Sequence, residues 1–247
     1  MRAVKGTANA STEFLRLGGA RALTKDAAGG YQDKDPVYFD RPRTDYVEAL
    51  PEDSSAKILE LGCGAGATGA LAISRGKCAT YVGVELVPEQ AAIAATRLST
   101  VHAGAVEDVE LPYAPGSFDA LICSEVLEHL VDPQSVVIRL VRLLKPGGLV
   151  FASSPNIAHH RIIRSLILGR FDYADQGVMD RTHLQWFTPR SFRRLFENAG
   201  VVVDWLGPVN TTARLPRLAG SAPFAHLTWV QIDLRGHVRA EAYDGSR

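Results

Sequence analysis

The sequence is poor in cysteine, and its three thiols do not stand at the spacing of a metal site. Cys63, Cys78 and Cys123 lie far apart in the chain, and two of them fall inside predicted strand and loop elements. We therefore expect buried, reduced thiols in a reducing compartment, which predicts a cytoplasmic protein.

Net charge and long apolar runs are missing as well. Lys and Arg total 27, Asp and Glu total 27, and the isoelectric point is about 7.1. Without a global basic field, recruitment of nucleic acid or of an anionic membrane is disfavoured. No apolar run is long enough to cross a bilayer, and the start of the chain, with Arg2 and Lys5, lacks the apolar core of a signal peptide. With 247 residues, 46% of them hydrophobic, the chain can build an α/β core without disulfides.

Three glycines at alternate positions are the most informative feature that is present. They occur in the run I-L-E-L-G-C-G-A-G-A-T-G at 58–69, where Gly62, Gly64 and Gly66 follow an apolar stretch that contains Glu60. Glycine lets the backbone adopt positive φ and approach a ligand closely, and the helix that follows offers unpaired N–H groups at its start. The pattern predicts a strand that turns into a nucleotide-binding loop. Its G-x-G-x-G spacing differs from the G-x-G-x-x-G of dinucleotide-binding oxidoreductases.

The run E-L-G-C-G-A-G resembles motif I of the class I S-adenosylmethionine (SAM) dependent methyltransferases. Further segments resemble this family in the same order over roughly residues 37–206: Y-V-G-V-E ending at Glu85, F-D-A-L-I-C-S ending at Ser124, which is similar to motif IV, and K-P-G-G beginning at Lys145. The resemblance implies an α/β, Rossmann-like class I methyltransferase fold, with a seven-stranded, mostly parallel sheet and an antiparallel C-terminal hairpin at its edge. Alternating strand and helix signals separately predict right-handed βαβ units.

The resemblance also implies SAM as the cofactor and indicates residues that bind it. Glu85 ends a buried strand about 20 residues after the loop, where a carboxylate would accept both ribose hydroxyl protons. At the adenine end, Ala105 replaces the aspartate that many relatives carry, so the Val106 backbone and Glu107 are expected to serve instead. Arg43 is either a bidentate clamp for the methionine carboxylate or a surface arginine. The predicted cofactor set is Tyr38, Arg43, Glu60, Gly62, Cys63, Gly64, Gly66, Glu85, Leu86, Val106, Glu107, Ser124 and Glu125.

A second group of residues follows the motif IV strand and points to substrate chemistry. In S-E-V-L-E-H-L, Glu125, Glu128 and His129 would share one face of a helical turn. Two carboxylates and an imidazole suit Mg²⁺ or Mn²⁺, and His183 in D-R-T-H-L-Q-W-F-T-P would complete the site.

The same two segments resemble ubiquinone-biosynthesis O-methyltransferases and, more loosely, the RNA 3′-terminal 2′-O-methyltransferases. In these enzymes, the resemblance implies, an E-x-x-E-H run and a later histidine hold a metal. The alternative is a site without metal, in which Glu128 and His129 brace the helix. His183 or His129 would then act as the general base, because imidazole titrates near neutral pH.

We predict that residues 1–36 form a lead-in or lid and that residues 37–247 form the methyltransferase domain. Residues 156–187 are predicted to be an insertion that covers the substrate, with an apolar helical stretch at 162–168 that serves as a lid or as the contact of a homodimer. His159 and His160 are expected to be exposed. Helices are predicted at 44–50, at 88–98, from 133 to the Pro146-Gly147 turn and at 188–199, and strands at 201–206 and 227–234.

Together the patterns predict a SAM-dependent methyltransferase that acts on a hydroxyl oxygen of a small molecule or sugar, such as a natural product, a quinone-like compound or a glycan. Four alternatives stay open: an N-methyltransferase, an RNA 2′-O-methyltransferase, a non-catalytic SAM-binding subunit, and a decarboxylase or cyclase on the same fold. The neutral charge disfavours an RNA enzyme. Intact Glu60, Gly62 and Glu85 favour catalysis over a structural role.

Overall fold

A computed structural model describes residues 40–211 and 224–240 of the chain. This part of the chain contains one sheet of seven strands. The strands are β1 (Lys57–Leu61), β2 (Thr80–Glu85), β3 (Thr100–Ala103), β4 (Phe118–Ser124), β5 (Leu144–Pro155), β6 (Val201–Pro208) and β7 (Gln231–Val238).

The strands are ordered β3-β2-β1-β4-β5-β7-β6 across the sheet. The pairs from β3 to β5 are parallel, whereas β7 runs antiparallel to both of its neighbours, β5 and β6. The predicted α/β class and the antiparallel C-terminal edge are therefore confirmed.

Helices connect β1 to β2, β2 to β3 and β4 to β5, as in βαβ crossovers, whereas a segment without a described helix connects β3 to β4. Asp132 and Thr188 cap two of the helices, because their side chains accept hydrogen bonds from backbone N–H groups three residues on. The described helices are α1 (Thr44–Ala49), α2 (Ala67–Ser74), α3 (Pro88–Ala94), α4 (Pro133–Val141), α5 (His160–Ile167) and α6 (Pro189–Glu197).

The sheet separates two hydrophobic cores. Alternate residues of a strand enter opposite cores: Leu59 and Leu61 face the cluster that contains residues of α4 and α6, while Ile58 faces the cluster that contains residues of α1 to α3. Because β1 and β4 are covered on both faces, their residues form nearly continuous apolar runs. Buried apolar surface on both faces therefore fixes the central strands.

Two predicted helices end earlier than the apolar pattern indicated. α3 ends at Ala94 and not at Leu98. The hydroxyl of Thr96 donates to the Ile93 carbonyl at 2.7 Å, and the chain tightens into turns that place Leu98 against the core. α4 ends at Val141, because the chain then turns into β5.

The last strand also begins later than predicted. Residues 225–228 form a short 3₁₀ turn, and β7 starts only at Gln231. The residues of that turn are partly buried although they do not belong to a strand. A composition rich in β-forming residues does not distinguish such a turn from a strand.

The order of the strands places the candidate site. The neighbouring strands β1 and β4 lead in opposite directions, since the chain passes from β1 to β2 on one side and from β4 to β5 on the other. The carboxyl ends of β1 and β4 therefore form a crevice, the place where open α/β sheets bind ligands. Within the described ranges, every helix is too short or too polar to cross a membrane.

Candidate active site

The glycine loop follows β1 at this crevice and is tied to β2. The N–H groups of Gly62 and Cys63 both donate to the Val84 carbonyl, at 2.8 and 3.2 Å. Gly62, Gly64 and Gly66 have φ values of 70°, 53° and 81°, which favour glycine. The predicted loop is thus formed, and Gly66 leads directly into α2.

Glu85 closes the loop from the end of β2. Its Oε2 accepts a hydrogen bond from the Gly64 N–H at 2.8 Å, and its Oε1 accepts one from the Val87 N–H at 2.8 Å. Each carboxylate oxygen has a second lone pair for a ligand hydroxyl. Burial raises the pKa of Glu85, while these backbone donors lower it. Leu86, also in the predicted set, follows it at the rim and is partly buried.

Glu60 lies beneath the loop and is 3% exposed. The Tyr81 hydroxyl donates to its Oε2 at 2.9 Å. Burial raises the pKa of Glu60 to about 7, although hydrogen bonds from Tyr81 and Thr68 lower it. In this arrangement Glu60 supports the loop from the core side. Cys63 is 5% exposed, and burial raises the pKa of its thiol.

Arg43 already has a bidentate partner inside the chain. Its Nε and Nη2 donate to the two carboxylate oxygens of Asp45 at 2.9 and 2.8 Å, and Nη1 donates to the hydroxyls of Ser124 and Ser153 at 2.6 and 2.8 Å. Arg43 thereby joins α1 to the ends of β4 and β5. To clamp a methionine carboxylate as predicted, it would have to exchange Asp45 for the ligand. Tyr38, its predicted companion, lies outside the described residues.

The residues expected near adenine hold neighbouring loops. Glu107 Oε1 accepts hydrogen bonds from the N–H groups of Val131 and Asp132, both at 3.0 Å, so this carboxylate fixes the start of α4. Val106 is buried, and its carbonyl accepts from Arg139. The structure therefore places both residues beside the crevice and gives the Glu107 side chain a structural partner.

The run after β4 is not the helical turn that the sequence predicted. Only Leu127–His129 form a 3₁₀ turn, and Glu125 precedes it with a φ of 51°. The i, i+3, i+4 face expected of an α-helix is therefore absent at this position. Glu125 points instead to β7, where Gln231 Nε2 donates to its Oε2 at 2.8 Å.

Glu128, His129 and His183 do come together. One ligand atom of each lies within 4.8 Å of the others, and the two imidazole rings are 4.8 Å apart between centroids. His129 Nδ1 lies 3.1 Å from the Thr182 carbonyl and His183 Nδ1 lies 3.1 Å from the Val178 carbonyl. Backbone bonds of this kind set the tautomer of a histidine whose other nitrogen serves a ligand. The structure does not bring Glu125 into this group.

Burial makes the Glu128 carboxylate costly to ionise. It is 2% exposed, Ser154 donates to its Oε2 at 3.1 Å, and its Oε1 is buried without a hydrogen-bond partner among the described residues. Burial, with Glu125 nearby, raises the pKa of Glu128 well above its usual range. A nearby cation or donor would relieve this cost.

The two ends of the segment 156–187 are bonded to each other, and its last residues are bonded to the loop after β4. Ile157 N–H donates to the Phe187 carbonyl at 3.0 Å, and the Glu128 carbonyl accepts from Leu184 and Gln185 at 2.8 and 2.9 Å. These last two bonds explain how His183 reaches the cluster.

The expectation that His159 is exposed is wrong. His159 is 4% exposed, because it caps α5 and accepts a hydrogen bond from the Arg161 N–H at 3.4 Å.

The predicted apolar helix is present as α5, but it buries none of its residues. Leu166, Ile167 and Leu168 are 45%, 79% and 61% exposed. Its roles as a lid or as a homodimer contact stay predictions.

Sequence reasoning missed Ser153 and Gln231. Both lie where β5 and β7 meet the crevice, and both are hydrogen-bonded to residues of the predicted site. Their positions follow from the strand register, in which Gln231 pairs with Pro155 and Ser153 pairs with Asp233.

A family model described as a methyltransferase domain matches residues 37–204. The chain belongs to this methyltransferase family. The match includes the glycine loop, Glu85 and the segment with His183, so the domain that carries these residues is a SAM-dependent methyltransferase domain, for which the family implies SAM as cofactor.

Two curated proteins, both named ubiquinone biosynthesis O-methyltransferase, are similar to the chain. The one from Xylella fastidiosa (strain M23) is 33% identical over an alignment of 151 residues, which covers 54% of this chain and 59% of that protein. The one from Thiobacillus denitrificans (strain ATCC 25259 / T1) is 31% identical over an alignment of 181 residues, which covers 66% of this chain and 72% of that protein. The match thus spans less than two thirds of the Xylella protein.

A solved structure from Thermotoga maritima is similar in fold. It is described as a SAM-dependent methyltransferase and possible histamine N-methyltransferase, and it aligns with a TM-score of 0.55 at 18% identity, covering 92% of this chain and 96% of that chain. At this identity the likeness establishes the fold of the methyltransferase domain and leaves its acceptor open.

Proposed function

We propose that this protein transfers the methyl group of SAM to a hydroxyl oxygen of a small molecule, and that the acceptor is a quinone-like aromatic compound. One observation carries the proposal: the glycine loop with Glu85 and the cluster of Glu128, His129 and His183 follow neighbouring strands at one edge of the sheet. The names of the two curated relatives support an oxygen acceptor. A hydroxyl of a sugar or another natural product would use the same chemistry.

The chemistry needs a hydroxyl oxygen placed in line with the sulfonium methyl group. The oxygen attacks the methyl carbon, the carbon–sulfur bond breaks, and S-adenosylhomocysteine (SAH) leaves with the bonding electron pair. Placement at near-attack distance supplies most of the acceleration, because the sulfonium is already activated. The hydroxyl proton must also be removed, and His129 and His183 are the proposed general bases.

We also propose that Glu128, His129 and His183 hold Mg²⁺ or Mn²⁺. The donor set fits a divalent cation, since the buried Glu128 Oε1 has no hydrogen-bond partner in the described structure. The Nδ1 atoms of His129 and His183 both lie within hydrogen-bonding distance of backbone carbonyls. A bound cation would lower the pKa of the acceptor hydroxyl. The two histidines would then be ligands rather than bases.

Titration with Mn²⁺, followed by electron paramagnetic resonance, tests the metal directly. Glu128→Gln should lose most of the bound Mn²⁺, whereas Glu52→Gln, whose side chain is 81% exposed, should bind as the unaltered protein does. Equal binding in all three proteins, or none in the unaltered one, would leave the histidines as the proposed bases.

Calorimetry with SAM and SAH tests the cofactor assignment. Glu85→Ala should lose most SAH affinity, because it removes both a ribose acceptor and the bond that holds Gly64. Methyl transfer is then tested with labelled SAM and 3,4-dihydroxybenzoate, and mass spectrometry identifies an O-methyl product. SAH binding without turnover on hydroxyl, amine or sugar probes would favour the non-catalytic alternative.

A further inference from the structure

Glu125 has a backbone conformation that its surroundings must impose. It is the one residue other than glycine with a left-handed φ, 51°, among the described residues. Its N–H donates to the Ser153 carbonyl at 3.0 Å, which holds the end of β4 against β5. Residues with such backbone strain occur where the surrounding structure fixes them, and they are common at ligand-binding sites.

The side chains of Ser153 and Gln231 interact with the Glu125 carboxylate. Gln231 Nε2 donates to Oε2 at 2.8 Å, which fixes the direction of the carboxylate. Its Oε1 is shielded from solvent and has no hydrogen-bond partner in the described structure. Buried polar atoms are normally paired, so an oxygen that is fixed and unpaired indicates a ligand donor.

The other buried, unpaired side-chain atoms of the described residues belong to Glu128 and Trp186. Glu128 lies in the same loop after β4, and Trp186 lies close in sequence to His183, which reaches Glu128. The three atoms therefore belong to segments that meet beyond the end of β4.

The position of Glu125 separates this ligand from the nucleotide. The glycine loop and Glu85 lie at the ends of β1 and β2, whereas the Glu125 carboxylate extends from β4 past β5 to Gln231 on β7. That half of the crevice lies on the opposite side of β4 from the ribose-binding residue. SAH affinity therefore tells whether a donor that meets Oε1 belongs to the cofactor or to the methyl acceptor.

We propose that Glu125 Oε1 accepts a hydrogen bond from a hydroxyl group of the acceptor and thereby determines which hydroxylated substrates are used. The inference rests on the proposed O-methyltransferase function. A site built to bind a hydroxyl rejects analogues that lack it, because the buried acceptor then stays unpaired. Glu125 is thus a specificity residue that contacts substrate, in place of the metal and cofactor roles that the sequence predicted for it.

The test compares Glu125→Gln with the unaltered protein, using 3,4-dihydroxybenzoate and 4-hydroxybenzoate as probes. We expect kcat/KM for the dihydroxy probe to fall by about 30-fold, the size of one hydrogen bond to a charged group. SAH affinity and the unfolding temperature should stay the same. A larger fall for the dihydroxy than for the monohydroxy probe assigns the contact to the second hydroxyl, and an equal fall assigns it to the hydroxyl that is methylated.

Two further variants keep the test decisive. Glu52→Gln is the carboxylate control and should leave both probes unaffected. Gln231→Ala removes the group that holds Oε2, so it should reproduce part of the loss if Glu125→Gln fails to fold. A kcat/KM within threefold of the unaltered value, or a matching loss of SAH affinity, would overturn the inference and leave the proposed function standing.

The inference can also be tested if the proposed methyl transfer is not observed. If the unaltered protein methylates neither probe, binding of 3,4-dihydroxybenzoate to the SAH complex is measured by calorimetry. Binding that Glu125→Gln weakens supports the inference without turnover, and binding that is absent or unchanged in the variant overturns it.

Discussion

Replacing Glu60 with glutamine removes a buried carboxylate beneath the glycine loop and preserves its shape. Glu60 is 3% exposed, and Tyr81 donates to it at 2.9 Å. Glutamine can still accept this bond through its carbonyl oxygen. The substitution therefore isolates the effect of the charge on stability.

The pKa values give the size and the sign of the effect. In the unfolded chain Glu60 has a pKa of 4.5, and burial raises this pKa to about 7 in the folded protein. Below pH 4.5 both states hold the proton, so the charge costs nothing. As the pH rises toward about 7, the unfolded chain loses its proton first and the folded protein loses stability. The two pKa values differ by about 2.5, which corresponds to about 3 kcal/mol above pH 7.

Urea denaturation at about pH 4.5 and about pH 8 measures this effect. Relative to the unaltered protein, Glu60→Gln should gain about 3 kcal/mol of unfolding free energy between the lower and the higher pH. Other buried carboxylates are common to both proteins and cancel. Glu110→Gln, at an exposed position, should show no such gain. The same difference between Glu60→Gln and the unaltered protein at both pH values would refute the reasoning.

Three other perturbations test the packing, a helix end and the thiols. Gly69→Ala would place a Cβ 2.4 Å from Leu98 and 2.5 Å from Tyr81, so overpacking should cost about 1–3 kcal/mol in urea denaturation. Thr188→Ala removes one half of the capping box of α6 and should cost about 1 kcal/mol in the same assay. The three buried cysteines should resist a thiol reagent in the folded protein and react in denaturant, as measured by absorbance.

For each of these predictions, one specific result would contradict it. Unchanged stability of Gly69→Ala would mean that α2 does not pack closely on Tyr81. Thr188→Ser keeps the hydroxyl and should retain most of the stability; a loss equal to that of Thr188→Ala would argue against the cap. Rapid labelling of any thiol in the folded protein would show that the β1, β2 or β4 region opens.

The glycine loop was recognisable in the sequence because its information is local. Gly62, Gly64 and Gly66 need conformations that other residues avoid, and the apolar run before them needs a buried strand. The same holds for Glu85, which ends the next strand. Helix starts at Asp132 and Thr188 were equally accessible, since their side chains bond to N–H groups three residues away. The ends of helices and strands were harder to predict. Leu98 and Leu144 were expected inside helices, but they lie outside them and pack in the two cores.

The sequence by itself thus determined the α/β class, the nucleotide loop and the family resemblance, all of which depend on patterns within short windows. Only the tertiary structure decided which side chains meet. Arg43 reaches Ser153 across 110 positions, and Glu125 reaches Gln231 across 106, so their partners depend on strand order and register. The left-handed turn at Glu125 likewise follows from bonds made by β5. No local propensity encodes such contacts, since burial and long-range hydrogen bonds select them only after the sheet has assembled.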